Sequence, residues 1–313
     1  MRFPRFDQHV PTDGYQWWYL DASSNCGKYG LVVIIFIGSV FSPYYAQRRR
    51  VGAGDPFQHC AVNVALYGES GARWSMTERN ARSLTRTEHS YRLNNSQARL
   101  CSDELVIDID EICAPIPKRI RGRICVKPRV WQPSEFALDK QSRHYWWPYA
   151  PICDVSVALD RPHLAWQGDG YLDSNRGSEP LENGFKRWSW SRTRVGEDEA
   201  HLTYERTLES GSRLLSTFHI DSRGACREDS TSQIHALPTT GIWRIDRPTA
   251  VGADAKPSVV STLEDTPFYA RSKIRIDHNG HERDGFHESL DLERFKKRWV
   301  QLLLPFRMPR RAL

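Results

Sequence analysis

Four residues have the types and spacing of an acid site: His144 and Trp146 in RHYWWPYAP (143–151), and Tyr171 and Asp173 in GDGYLDSNRGSEPLE (168–182). Both stretches read as β-strands, in which side chains two apart project to one face. His144 and Trp146 therefore share a face of one strand, and Tyr171 and Asp173 share a face of another. An acid, an imidazole and two large rings suit acid chemistry on an apolar substrate better than metal, phosphate or nucleotide binding. A carboxyl group among apolar, aromatic groups is disfavoured in its charged form, which makes Asp173 the candidate donor of a proton to a carbon–carbon double bond. The rings of Trp146 and Tyr171 can stabilise a carbocation through their π faces, by about 0.5–2 kcal/mol each. His144 can orient the acid or position an attacking water. Each residue also has a plainer reading: a turn aspartate bonded to backbone amides, core-filling rings, a structural histidine.

The elements that must hold these residues are strands. LVIDIDEI (105–112), CDVSVAL (153–159), KRWSWSR (186–192) and KIRID (273–277) all alternate with period two. Turn signals punctuate them at Asp13-Gly14, Gly168-Asp169-Gly170 and Glu209-Ser210-Gly211. Many short strands between turns predict a mainly β fold, and we expect two lipocalin-like antiparallel barrels. The loop-like NRGSEPLEN (175–183) sets the expected boundary, with one domain over 1–175 and a second over 176–313. Closed barrels would leave an interior or interdomain cavity for a greasy ligand. Helix is expected at DLERFKKR (291–298), with Asp291 as N-cap.

Composition removes several classes. The 313 residues include 11 Trp, 12 Tyr and 12 Phe, enough rings to line a large apolar interior. Seven scattered cysteines without a CxxC pair argue against a disulfide framework and a zinc site, and fit a reducing, cytoplasmic compartment. The N-terminal stretch lacks a signal peptide's apolar core, and the apolar run at 30–41 is too short to span a bilayer. His278, His281 and His287 cluster in a polar region and make a poor metal site. Asp108, Asp110 and Glu111 read as a solvated strand face. No GxSxG, GxxxxGK or GxGxxG motif is present.

The formal net charge is +6, and from Arg294 onward seven Lys and Arg residues occur with no acid. They interleave with Phe295, Trp299, Leu302, Leu303, Leu304 and Phe306, as in a segment that lies on an anionic membrane surface. A core strand flanked by solvated charges is the alternative. Nucleic acid is not an expected partner, since no recognition module accompanies the charge.

The chain resembles the carotenoid 1,2-hydratases (hydroxyneurosporene synthases) of phototrophic bacteria. The resemblance is carried by GYQWWYLDA (14–22), FIGSVFSPYYA (36–46), HCAVNVALYG (59–68), MTER (76–79), VIDIDE (106–111), HYWWPYAP (144–151), GDGYLDSN (168–175), RWSW (187–190), ESLDLERF (288–295) and WVQLLLPFRMPR (299–310). It implies hydration of the terminal double bond of acyclic carotenoids such as neurosporene and lycopene to a tertiary 1-hydroxy product, without a cofactor. It also implies that Asp173 is the acid and that His144, Trp146 and Tyr171 support it. A membrane-borne polyene would give the basic C-terminal segment a use, in peripheral contact with the inner, photosynthetic membrane. Two other readings stay open: a lipocalin-like carrier that holds a polyene without reaction, and a cyclase or isomerase working through the same cation.

Overall fold

The computed structural model describes residues 3–69, 71–278 and 280–311, and element counts below are among these residues. The fold is mainly β, as expected, and every strand pair within its sheets is antiparallel. Two compact units divide it: Met1–Pro180 with Leu302–Leu313, and Leu181–Gln301.

The first unit is a twelve-stranded sheet of β1 (Tyr15–Ser24), β2 (Tyr29–Ile37), β3 (Cys60–Gly68), β4 (Arg73–Arg79), β5 (Leu84–Thr87), β6 (Ser90–Leu93), β7 (Ser96–Cys101), β8 (Glu104–Ile112), β9 (Arg119–Val130), β10 (Phe136–Ala137), β11 (His144–Arg161) and β12 (Leu164–Gly177). Its order is β4-β3-β2-β1-β12-β11-β9-β8-β7-β6-β5, with β10 on β11. A short helix, α1 (Pro43–Arg49), follows β2. Ser42 caps it by accepting from the Tyr45 amide, and Pro43 occupies its first turn, where a missing N–H costs nothing.

The sheet curls until β4 reaches β8. There the Arg79 guanidinium pairs with the Glu111 carboxylate at 2.9 Å, and the Ser96 hydroxyl donates to the same carboxylate at 2.8 Å. Glu111 thus departs from the expected solvated face. Asp108 and Asp110 do face solvent and pair with Arg123 and Arg119, whereas Glu111 follows Leu105, Ile107 and Ile109 to the buried side.

One face of the curled sheet closes on a continuous core that includes Trp18, Leu20, Val33, Ile35, Val62, Ile107, Ile124, Val155 and Leu172. The N-terminal segment enters this core. Phe6 packs on Trp18 at 4.9 Å, and the Arg86 guanidinium holds the Phe6 and Gln8 carbonyls. The void left among Phe6, Trp18, Val33 and Ile107 is about 10 Å³, room for one water at most. Large side chains and the N-terminal segment thus fill the centre of this unit.

Two sequence signals read differently in three dimensions. Gly168-Asp169-Gly170 is not a turn but lies within β12. A Cβ on Gly168 would sit 1.9 Å from the Ser23 carbonyl oxygen, and one on Gly170 would sit 2.4 Å from Val155 Cγ2. These glycines allow close approach between neighbouring strands instead of reversing the chain. Asn175 to Gly177, expected in a linker, continue the same strand. The last residues, assigned to the second domain by the expected boundary, cluster with the first unit. Glu78 and Pro309–Arg311 exchange backbone hydrogen bonds of 2.9 Å, and Arg310 pairs with the Glu78 carboxylate.

The second unit is a seven-stranded sheet ordered β16-β15-β14-β13-β21-β20-β19, and the hairpin β17–β18 lies across it. Its strands are β13 (Phe185–Arg194), β14 (Ala200–Leu208), β15 (Arg213–Ile220), β16 (Cys226–Glu228), β17 (Gln233–Leu237), β18 (Arg247–Val251), β19 (Ala255–Asp265), β20 (Tyr269–His278) and β21 (His281–Asp291). Helices α2 (Leu181–Gly184) and α3 (Leu292–Phe295) flank them, and α4 (Arg298–Arg307) starts in this unit and continues from Leu302 among the residues that cluster with the first. Asp291 caps α3 by accepting from the Arg294 amide, as expected. The C-terminal segment is helical rather than extended, since Val300, Leu304 and Met308 recur at helical spacing on the buried side. Of the clustered histidines, the side chain of His278 lies outside the described residues.

His287 gives this unit an acid sensitivity. It is fully buried with Nε2 on the Pro248 carbonyl at 2.9 Å, a contact that requires the N–H there. Burial pushes its pKa down to about 4. The unfolded chain takes up this proton near the ordinary value of about 6.5, so the unfolded state binds more protons between the two values. Stability is therefore full above pH ~6.5 and falls by about 3 kcal/mol as pH drops to ~4. Urea melts across this window should show the slope, and His287→Gln should flatten it; an unchanged slope would mean that other groups set it.

Candidate active site

The pairing of β11, β12 and β1 places the expected site residues. Residues paired across antiparallel strands share a face. His144 pairs with Gly177 and Trp146 with Asn175, while Tyr19 pairs with Asp173 and Asp21 with Tyr171. His144, Trp146, Tyr171 and Asp173 therefore lie on one face of one sheet. It is the face opposite the core, because Leu172 and Ser174 alternate to the other side. Pro148 and Pro151 cannot donate to the ladder, and the β11–β12 register shifts between Trp147 and Ala150 and again before Cys153. The two shifts run in the same direction and add up to two residues, so parity is restored from Cys153 onward.

Three of the four meet directly. The Trp146 indole N–H donates to Asp173 Oδ2 at 2.9 Å, and the Tyr171 hydroxyl donates to the same oxygen at 2.8 Å. Trp146 Nε1 and Tyr171 OH lie 3.2 Å apart. Trp146 and Tyr171 are fully buried, and Asp173 is 5 % exposed. Two donors on Oδ2 fix the carboxyl rotamer and stabilise the negative charge that appears when a proton leaves. In the neutral acid the proton belongs on Oδ1, since Oδ2 accepts twice.

His144 stands apart from this cluster. Its Nδ1 meets the Tyr15 hydroxyl at 2.9 Å and its Nε2 meets Glu179 at 3.2 Å. Arg143 holds Glu179 at 2.9 Å, and Asp139 accepts from the His144 amide. Burial pushes the imidazole pKa below its usual value, against the upward pull of Asp139 and Glu179. A neutral ring with its hydrogen on Nε2 satisfies both contacts. With both nitrogens engaged, His144 ties together the ends of β1 and β11 and the segment that follows β12.

Residues that the sequence reading passed over complete the face. Tyr15, Trp17, Tyr19 and Asp21 alternate along β1, and all are buried. Tyr15 stacks on Trp17 at 5.0 Å, Tyr19 meets Tyr171 edge-on at 6.3 Å, and Phe136 lies 5.8 Å from Trp146. Asn175 sits between Trp17 and Trp146 in the register. The signal was legible: in YQWWYLDA the odd positions alone carry a Tyr-Trp-Tyr-Asp series. The arrangement is an aromatic floor with one acid held rigidly in it. Two clefts of about 340 and 590 Å³ open beside Trp147, which pairs with Ser174 on the core side of the sheet; Gln16, Ser174 and Arg176 line the smaller, and Asp173 lines neither.

Comparison with known proteins identifies the family. The family described as carotenoid hydratase CrtC matches residues 33–313. The chain belongs to the carotenoid hydratase family. It is similar to the acyclic carotenoid 1,2-hydratase of Thiocapsa roseopersicina, at 49 % identity over 99 % of this chain and 76 % of the relative. The enzyme of that name from Rubrivivax gelatinosus is 42 % identical over the same shares. The Rhodobacter capsulatus enzyme is 36 % identical over 90 % of this chain and 98 % of its own. As a carotenoid hydratase, the chain is an enzyme of the hydro-lyase class in carotenoid biosynthesis. Its fold is shared with a Nitrosomonas europaea protein described as an AttH (TM-score 0.63, 14 % identity, 93 % and 97 % of the two chains). It is shared too with CghA in complex with Sch210972 (TM-score 0.55, 11 % identity, 89 % and 88 %). Among the described residues no helix is long and apolar enough to cross a membrane.

Proposed function

We propose that this carotenoid hydratase adds water across the terminal C1=C2 bond of acyclic carotenoids such as neurosporene and lycopene, with Asp173 as the acid. The observation that carries the reading is the buried Asp173 carboxyl held by Trp146 and Tyr171 on an aromatic face. Asp173 Oδ1–H delivers its proton to C2, and positive charge develops on C1, which bears two methyl groups. The aromatic face, led by Trp146 and Tyr171, stabilises the cation where water is scarce. One water attacks C1 and gives its proton to the Asp173 carboxylate, which regenerates the acid. The proton lost is the proton returned, so the cycle closes on Asp173 and calls for no cofactor. His144 enters as the residue that aligns the strands, not as the base.

A long polyene lives in the membrane, so the enzyme works at the periphery of the inner membrane and draws its substrate from lipid. The aromatic floor suits such a chain, and the two units are read as two lipocalin-like domains. Water and the acyclic carotenoid are the partners; nucleic acid is not.

The test uses purified protein, lycopene or neurosporene in lipid dispersion, and ¹⁸O-labelled water, with products read by mass spectrometry. A labelled tertiary 1-hydroxy product is expected without any added cofactor. Tight binding of unchanged carotenoid would replace this reading with a carrier, and an unlabelled isomer would replace it with a cyclase or isomerase.

A further inference from the structure

Helix α4 carries two apolar stripes. Val300 and Leu304, with Met308 just beyond, are buried. Trp299, Leu302, Leu303 and Phe306 recur at the spacing of a second face, and they are 47, 74, 44 and 69 % exposed. Single exposed apolar residues are ordinary on a protein surface, but four on one helix face are not. The cations around the stripe are equally one-sided. No acidic residue follows Glu293. Lys296 pairs with Glu209 and Arg310 with Glu78, while Lys297 and Arg298 are exposed and have no ion-pair partner among the described residues.

We propose that this outer stripe docks the enzyme on an anionic lipid surface. Leu302, Leu303 and Phe306 enter the acyl boundary, Trp299 sits at headgroup level, and Lys297 and Arg298 meet the lipid phosphates. A ten-residue helix is about 15 Å long, so it lies in the interface and does not cross the bilayer. Trp299 is held ready by stacking on Trp243 at 5.7 Å. Charge decides between lipid and a second copy of the chain: a two-fold contact through this face would bring its cations against themselves, whereas anionic headgroups neutralise them. The inference rests on the membrane-borne substrate proposed above and names the surface that receives it.

The test is co-sedimentation of the full chain with phosphatidylglycerol–phosphatidylcholine vesicles and with phosphatidylcholine vesicles, at about 0.1 M salt. The wild type should partition at least about tenfold better to the anionic vesicles. Leu302→Ser/Phe306→Ser and Lys297→Gln/Arg298→Gln should each weaken that partition by at least about tenfold. All four side chains are exposed, so melting temperatures should be unchanged, as should turnover of carotenoid in detergent micelles. Undiminished vesicle binding by both variants would overturn the proposal. So would a dimer on gel filtration that Leu302→Ser/Phe306→Ser dissolves, with no vesicle binding by the wild type. Absence of turnover in detergent would count against the hydratase reaction alone, because sedimentation is read without catalysis.

Discussion

Asp173→Asn should lower turnover by about 10²–10⁴-fold, the range that a positioned general acid contributes, while the protein keeps its fold. The side chains are nearly isosteric, and the amide oxygen can still accept from Trp146 and Tyr171, which now donate to Oδ2. What the amide cannot do is release a proton to an alkene, a very weak base. Turnover within about threefold of wild type, beside an unchanged thermal melt, would remove Asp173 from the acid's role. Two further variants separate the ways in which the rings can act. Trp146→Phe and Tyr171→Phe keep an aromatic face but delete one donor to the carboxylate. A hydrogen bond to a charged group contributes about 1.5–3 kcal/mol, so each should cost about 10–100-fold if the donors stabilise the spent acid. If the π faces alone matter, Phe at either position should leave turnover close to wild type. The rate measured against substrate concentration, with product formation followed directly, distinguishes these outcomes.

Arg79→Met should destabilise the first unit by about 3–5 kcal/mol, the cost of leaving a buried carboxylate without its partner. Glu111 is buried between β4 and β8, and Arg79 is its cation at 2.9 Å. Burial pushes the Glu111 pKa up, and the Arg79 guanidinium opposes that push. Without Arg79 the carboxyl should neutralise by taking a proton. Its folded pKa, already raised by burial, then lies further above its unfolded value, so the deficit is smallest at low pH and grows as pH rises from the unfolded value to the folded one. Adding Glu111→Leu should recover most of the loss, because a pair of apolar residues leaves no charge to solvate. Urea unfolding of the single and double variants at two pH values measures both effects. A single variant as stable as the wild type would mean that the curl of the sheet does not depend on this pair.

Much of this was legible in the amino-acid pattern, and the exceptions have physical causes. Period-two alternation at 153–159 located part of β11, the stretches 143–151 and 168–182 read as strands, and spacing put His144 with Trp146 and Tyr171 with Asp173. Which faces of separate strands coincide is a matter of register, and register is set by pairings between residues distant in sequence. That is why Tyr19 and Asp21, opposite Asp173 and Tyr171, went unread although YQWWYLDA displays them. Gly168 and Gly170 read as a turn because glycine permits one; only the nearness of Ser23 and Val155 reveals that they clear space inside a strand. Glu111 sits in an acidic run whose other members face solvent, and its counter-ion lies on β4. The helicity of α4 was hidden by a run of Leu residues that fits either period, with Pro305 inside it. His144 was recognised as important, but nothing local shows that Tyr15 and Glu179 engage both its nitrogens.

The filled interior of the first unit has a consequence for how the protein can change. Along β12 consecutive residues answer to different demands: Leu172 belongs to the packed core, while Tyr171 and Asp173 belong to the opposite, aromatic face that we propose as the reacting one. The sheet acts as a partition between two nearly independent sets of positions. Heat tolerance can be tuned on one side by repacking residues such as Leu20, Val33 or Ile107, and substrate range on the other at Trp17, Tyr19 or Phe136. Neither search need disturb the other as long as strand length is held. A single inserted or deleted residue in β12 would exchange the two sides at once, setting Asp173 into the core and Leu172 on the aromatic face.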